Sequence, residues 1–285
     1  MLREDDERGV PSARSVAGYD RKGNRSIIVA HCVEVYVVKL SLNRIVAFAL
    51  CLFSFLANEA NAQPPSPSPW SAEASVGWDI GLSGDFLAAG IGTINNVPVV
   101  FQSQPFDQVY GNGAVWQFGV GYMLDDVNEV RAQYSYQRVG ADVVNLGTAG
   151  TNGLVATFDD YHAHSIEAGA RHYFALPSDR MRPYGGALIG VSIISEIDGV
   201  LASPQAGLAR YATDLYDGTA ALTLGVNGGV LYAINGRLDV NGQIGFRYNS
   251  GLSKIDAFVG TGLEDVNDKS SRWTMPIMFG LRLKF

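Results

Sequence analysis

The amino-acid sequence predicts an all-β protein, an eight-stranded antiparallel transmembrane β-barrel. Three observations carry the prediction: a terminal strand with one greasy and one cationic face, connections that alternate between long and short, and aromatic residues gathered near both strand ends. The segment 273–285 is the clearest. Trp273, Met275, Ile277, Phe279, Leu281, Leu283 and Phe285 share one side of a period-two pattern. Arg272, Thr274, Pro276, Gly280, Arg282 and Lys284 share the other, with Met278 the one large apolar intruder. Successive side chains of a strand point to opposite sides. In a membrane barrel the greasy side faces lipid and the polar side faces the lumen.

The same alternation lays out seven strands before it. The first, about 71–82, sets Ala72, Ala74, Val76, Trp78, Ile80 and Leu82 against Glu73, Ser75, Gly77 and Asp79. The second, about 113–124, sets Trp116, Phe118, Val120 and Tyr122 outward and Val115, Gln117, Gly119, Gly121 and Met123 inward. A turn at Asp125-Asp126-Val127-Asn128 leads to the third, about 129–138, where Val130, Ala132, Tyr134 and Tyr136 oppose Arg131, Gln133, Ser135 and Gln137. The fourth, about 161–174, sets His164, Ile166, Ala168, Ala170, His172 and Phe174 against Glu167, Gly169 and Arg171. The fifth, about 183–195, places Ala187, Ile189, Val191 and Ile193 outward. The sixth, about 218–233, sets Leu222, Leu224, Val226, Val230 and Tyr232 against Thr223, Gly225 and Asn227. Asn235-Gly236 is a strong hairpin signal, and it opens the seventh strand, about 237–249. There Leu238, Val240, Ile244, Phe246 and Tyr248 alternate with Asp239, Asn241, Gln243, Arg247 and Asn249.

Segments 83–112, 139–160, 196–217 and 250–271 read as long loops, and those near 125–128, 175–182 and 234–236 as short turns. A bacterial barrel alternates in this way, with short periplasmic turns and long extracellular loops. Both ends of the barrel then lie in the periplasm. Under this topology Trp116, Tyr136, Tyr248 and Trp273 form an outer aromatic girdle, and Tyr122, Phe174, Tyr232 and Phe285 an inner one.

Composition agrees. The chain has 285 residues, 33 of them glycine and 13 tyrosine, which suits tight turns, small inward residues and aromatic belts. No stretch reaches the roughly eighteen uninterrupted apolar residues of a spanning helix. Lys39 and Arg44, the apolar run 45–56 and Ala60-Asn61-Ala62 make a signal peptide over 39–62. Cys51 follows Leu50 where a lipoprotein signal needs a small residue. Residues 1–38 fit no such signal and read as a mis-called N-terminal extension, with a long, atypical export signal as the alternative. Residues 63–70 are a proline-rich periplasmic linker, and 71–285 are the barrel. Both cysteines, Cys32 and Cys51, fall before the linker, so neither a disulfide framework nor thiol chemistry is expected in the barrel. From Gln63 onward 21 Asp and Glu outnumber 13 Lys and Arg. Nucleic acid is excluded as a partner, because phosphate binding needs a basic surface.

The signal peptide, the eight strands, Arg182-Pro183-Tyr184-Gly185-Gly186-Ala187 and the terminal Phe279-Gly280-Leu281-Arg282-Leu283-Lys284-Phe285 resemble the opacity-protein and OmpW-like superfamily of small outer-membrane barrels. The resemblance covers about residues 70–285. It implies a monomeric protein of the bacterial outer membrane, surrounded by lipid and lipopolysaccharide. Members include surface antigens, adhesins and proteins loosely called porins. It also implies that Phe285 is the assembly signal read by the barrel-assembly machinery.

The lumen is expected to carry Glu73, Asp79, Glu167 and Asp239 against Arg131, Arg171, Arg247, Arg272, Arg282 and Lys284. Eight strands enclose a space that side chains just fill, so these charges should pair and plug it. The inward glycines, Gly77, Gly119, Gly121, Gly169, Gly225, Gly245 and Gly280, leave a narrow channel open as the alternative. His162-Ala163-His164-Ser165 resembles the His/Ser pair of outer-membrane lipid deacylases, yet His164 and Ser165 should point to opposite faces. No catalytic set, metal site or cofactor is expected. The loops hold thirteen carboxylates, among them Asp159, Glu196, Asp198, Asp214 and Asp268, which read as solvated, mutually repelling groups or as a surface for an extracellular ligand. The first loop is rich in apolar residues, from Phe86 and Leu87 to Val100 and Phe101. Either the flanking strands extend or this loop packs on a partner. A surface-interaction barrel is thus the leading reading, a passive channel the second and a lipid-modifying enzyme the remote third.

Overall fold

The computed structural model describes residues 69–175, 180–268 and 270–285. The expected extension, the signal peptide and most of the linker lie outside them. In chain order the strands are β1 (Trp70–Ser83), β2 (Asp85–Leu87), β3 (Gly90–Ile94), β4 (Val97–Phe101), β5 (Gln104–Pro105), β6 (Gly113–Met123), β7 (Asn128–Val139), β8 (Val144–Ala149), β9 (Asn152–Phe158) and β10 (Tyr161–Tyr173). They continue with β11 (Met181–Ile194), β12 (Ile197–Ser203), β13 (Leu208–Asp217), β14 (Thr219–Ala233), β15 (Leu238–Asn249), β16 (Ser253–Lys254) and β17 (Arg272–Lys284). One short helix, α1 (Phe106–Val109), follows β5.

Among the described residues eight strands close into an antiparallel barrel in the order β1-β17-β15-β14-β11-β10-β7-β6, with β6 returning to β1. These are the eight strands that alternation predicts, each with its predicted face outward. Closure satisfies the backbone of every strand and leaves no open edge, which a lipid environment requires. The last strand, β17, pairs with the first along nearly its whole length, from Ser71 opposite Lys284 to Ser83 opposite Trp273.

The barrel is inside-out relative to a soluble protein. Trp78, Phe118, Ile166, Ile189, Val226, Phe246 and Phe279 stand exposed on its wall, while Glu73, Arg131, Glu167, Arg171, Asp239 and Arg282 are buried inside. Soluble proteins keep exposed apolar patches to a few hundred Å², and their charged residues stay outside. A continuous apolar belt around buried charge is the pattern of a wall in lipid.

The four long segments depart from expectation. They are not solvated loops. Among the described residues they carry a seven-stranded sheet, β16-β13-β12-β9-β8-β4-β3, and the pair β2-β5. Phe86, Leu87, Ile94, Val99 and Phe101 of the first loop are buried in one core with Leu146, Leu154, Leu201, Leu215, Tyr216 and Phe258 of the other three. The buried part of the apolar first loop therefore packs on its sister loops, while Ile91 and Val100 remain exposed. This core also takes in Val139, Tyr161, Ala163, Ile194 and Ala221, the lumen-facing residues at the outer ends of β7, β10, β11 and β14. The core of the head thus reaches the mouth of the barrel, where these side chains pack together.

Wall burial sets a test of depth. Ile277 lies mid-strand between Trp78 and Ile244, and Leu283 lies near the inner end between Ala72 and Leu238. Ile277→Arg should destabilise the refolded barrel by about 2–4 kcal/mol and Leu283→Arg by roughly 0–1 kcal/mol. Reversible unfolding in lipid vesicles measures both, and equal losses would refute the assigned depths.

Candidate functional site: the sealed lumen

Because the lumen is narrow, inward charges from opposite walls come within bonding distance. The inner tier is the densest. Glu73 of β1 accepts from Arg171 Nη1 at 3.1 Å and from Asn241 Nδ2 at 2.8 Å, and lies 3.6 Å from Arg131 Nη2. Glu129 of β7 accepts from Arg282 Nη2 at 3.0 Å and from Ser71 at 3.1 Å, lies 3.8 Å from Arg171, and takes a hydrogen bond from the Tyr173 hydroxyl. Arg282 Nη1 also donates to the Tyr173 oxygen at 2.6 Å. The Arg171 guanidinium stacks 3.9 Å above the Tyr184 ring. Lys284 Nζ closes the inner rim on Asp239 at 2.8 Å.

The middle tier centres on Glu167 of β10. One of its oxygens accepts from Arg247 Nη2 at 2.9 Å and from Gln133 Nε2 at 2.7 Å. Gln117 extends the chain to Gln133 at 3.1 Å. On the same level Ser165, Ser192, Thr223 and Asn249 link four strands through hydroxyl contacts of 2.6–2.9 Å. In the outer tier Asp79 and Arg272 do not pair directly. Gln137 stands between them, donating to Asp79 at 3.0 Å and accepting from Arg272 Nη2 at 2.8 Å. The Arg272 guanidinium caps the Tyr161 ring at 4.1 Å, which joins the polar lumen to the head core. Beside it lies a cavity of about 10 Å³ lined in part by Asp79, Tyr110, Gln137, Arg272 and Thr274. That is room for about one water.

All ten lumen charges named from the sequence lie on the inner side of the wall. Alternation missed Glu129, whose two carboxylate oxygens organise the inner tier. It sits two residues before Arg131, so the period-two rule extended by one step would have found it; its place beside the turn hid it. Tyr173 and Tyr184 were missed for the same reason.

The glycines answer the channel question locally. A Cβ on Gly121 would lie 1.7 Å from Glu129 Oε1, and one on Gly77 would lie 2.8 Å from Met278 Sδ. Gly77 pairs directly with Met278, which explains how the lumen takes a large apolar side chain there. The space these glycines free is occupied by their neighbours. It is not lumen.

His164 is exposed on the outer wall, whereas Ser165 is buried inside and bonded to Ser192. The two lie on opposite sides of the barrel wall and cannot act together. Among the described residues no three His, Cys, Asp or Glu side chains converge on a metal position. The girdle residues lie where their register puts them: Trp116 is paired with Tyr136, Tyr248 with Trp273, and Tyr232 with Met181. Tyr122 meets Trp70 edge to face at 4.9 Å, so β1 begins within the expected linker and Trp70 joins the inner girdle. Phe174 packs edge-on to His172, and Phe285 is exposed with its backbone N–H on the Trp70 carbonyl.

The decisive observation is a closed wall with a lipid-type exterior around an ion-paired interior. The protein is a membrane-spanning eight-stranded β-barrel. The chain is similar to Neisserial surface protein A, at 17% identity over 78% of this chain and 100% of that one, with a TM-score of 0.40. It is similar also to OprG from Pseudomonas aeruginosa, at 15% identity over 77% and 97%, with a TM-score of 0.40. A third is the outer membrane protease OmpT from Escherichia coli, at 10% identity over 78% and 99%, with a TM-score of 0.39. Likeness at this level says nothing about activity. Neither a family model nor a curated protein matches the chain.

On the head, Asp198 and Asp214 are cross-strand neighbours, and the Asp159 N–H donates to the Asp198 carbonyl. Partial burial, with Asp214, Asp159 and Glu196 nearby, pushes the Asp198 carboxyl above its usual range. Lys254 pairs with Asp268, so the carboxylates are not all free.

The ion pairs of the lumen and the rim should differ in weight. Glu129→Ala would strand Arg282 and weaken the hold on Arg171, at about 3–5 kcal/mol. Asp160→Ala breaks the exposed pair with Arg138, worth roughly 1 kcal/mol or less, and a hydrogen bond from the Ala141 backbone. Denaturant midpoints of the two refolded variants check the order, and a larger loss at Asp160 would contradict the assigned network.

Proposed function

We propose that the protein is a bacterial outer-membrane barrel whose role is surface interaction: a sealed wall that anchors a folded extracellular head. The observation that supports this best is the double seal. Ion pairs fill the inner and middle lumen, and the head core fills the mouth. A surface protein of this kind presents the head to its surroundings and has no use for a conducting lumen. Lipid and lipopolysaccharide surround the wall, and the acidic head faces an extracellular ligand. The protein works as a monomer without a cofactor. Export by a cleaved signal peptide is part of the same reading. Its expected non-enzymatic character rests on the separation of His164 from Ser165 by the wall.

Planar-bilayer recording of the refolded protein tests the seal. Resting conductance should be close to background, and Glu167→Ala should raise it by freeing Arg247 in the middle tier. A large, steady conductance of the unmodified protein would overturn the sealed reading in favour of a narrow passive channel.

Phe285 is proposed as the residue that the barrel-assembly machinery reads. It is exposed at the inner end of the closing strand, where little in the finished barrel holds its ring. Phe285→Ser should lower the amount of heat-modifiable protein in outer-membrane fractions while export across the inner membrane stays normal. Normal assembly of that variant would count against the proposal.

A further inference from the structure

The outer rim of the wall is apolar around most of its circumference, as at Leu82, Ile193 and Leu222. On β7 and β10 it is not. There Arg138 faces His162 and Tyr136 faces His164 across adjoining strands, with Tyr134 one step deeper. The Tyr136 hydroxyl bonds His162 Nδ1 at 3.0 Å, and the Tyr134 hydroxyl bonds His164 Nδ1 at 2.7 Å. The Tyr136 ring lies 4.8 Å from the His164 ring, so both imidazoles are held in place. A phenol is a stronger proton donor than a neutral imidazole. Each tyrosine therefore donates to Nδ1 and leaves the ring proton on Nε2. In a protonated ring Nε2 is a donor as well. Two Nε2–H groups and the Arg138 guanidinium then face outward together, and Arg138 is more than half exposed.

We infer that this patch is a docking site for a phosphorylated lipid headgroup of the outer leaflet. It rests on the membrane-barrel reading above and adds a ligand to it. The patch shares the level of Trp116 and Tyr136, the depth at which aromatic girdles meet headgroups. A donor in the lipid wall without an acceptor is costly, and phosphate is the acceptor that headgroups offer at that depth. Asp160 opposes the site. Its Oδ2 holds Arg138 Nη2 at 2.8 Å and Nε at 3.3 Å, so it competes with phosphate for the same guanidinium.

Native mass spectrometry of the refolded barrel in detergent tests the site with three probes: phosphatidic acid, the matching diacylglycerol and inorganic phosphate. Phosphatidic acid should be retained and diacylglycerol should not. His162→Gln with His164→Gln should weaken retention roughly tenfold, about the worth of one charge-assisted hydrogen bond. Arg138→Gln, at an exposed position, should weaken it similarly, and Asp160→Asn should strengthen it by freeing Arg138. His172→Gln, on the inner rim, should change nothing. Equal retention by wild type and the His and Arg variants would overturn the site. So would equal retention of the two lipids. Retention of inorganic phosphate as strong as that of the lipid would replace the lipid by a free anion. Heat-modifiable migration of each sample separates the two readings: wild type without it would overturn the barrel itself.

Discussion

Pairing of charge inside a narrow closed wall is the constraint on which the rest depends. An eight-stranded barrel leaves an interior that side chains fill. Arg131, Arg171 and Arg282 therefore cannot remain apart from Glu73 and Glu129, and the network is as much a consequence of radius as of composition. Charges removed from water are tolerated only when their partners and hydrogen bonds are complete. Gln117, Gln133, Gln137 and Asn241 supply much of that completion. Gln133 and Asn241 donate to Glu167 and Glu73, and Gln137 bridges Asp79 to Arg272, a cation that the wall holds at a distance. The inward glycines serve the same end by yielding space to longer neighbours.

The head follows from the same constraint. At the outer ends of β7, β10, β11 and β14 the lumen face changes from polar to apolar, at Val139, Tyr161, Ala163 and Ile194. Apolar side chains at an open mouth would meet water. The four long segments cover them, contributing Phe86, Phe106, Phe158 and Tyr216 to one core. The aromatic rings there meet mostly edge to face, around Phe86 in particular. Arg272 links the two layers, since its guanidinium bonds Gln137 below and covers Tyr161 above. Tyr110 is anchored beside it by its hydroxyl on the Asp159 carbonyl.

The wall was legible because a barrel strand writes its two environments into alternate residues. Every face assigned from Trp78, Tyr134, Ile166 or Phe246 points to lipid, and the strand ends agree within a few residues. The head was not legible. Its strands are short, and the less buried side carries apolar residues too, as at Ile91 in Gly90–Ile94 and Val200 in Ile197–Ser203. Such segments carry too few alternations to separate a strand from a loop. Glycine and proline within them, at Gly90, Pro98 and Pro105, read as loop signals. The apolar weight of the first loop was the one available hint, and it left open an extension of the flanking strands or packing on a partner. Those carboxylates alternate with the buried residues: Asp198 stands beside Ile197 and Gly199, and Asp214 beside Thr213 and Leu215. The individual lumen pairs were illegible for a different reason. Pairing depends on strand stagger around the barrel, which alternation within each strand does not contain.

Two layers of opposite chemistry meet at the outer rim. Above it, the head presents a carboxylate row formed by Asp159, Asp198 and Asp214. Partial burial, and then repulsion from its neighbours, hold the Asp198 carboxyl above its usual range. Below it, β7 and β10 present hydrogen-bond donors to the lipid. Asp160 belongs to both layers, because it ends the head segment and binds the first cation of the wall. It draws Arg138 upward, and Arg138 in turn holds its carboxyl below the usual range. A headgroup phosphate reaching the patch would meet Arg138 first and loosen its hold on Asp160. The wall and the head then share one exposed ion pair at their boundary.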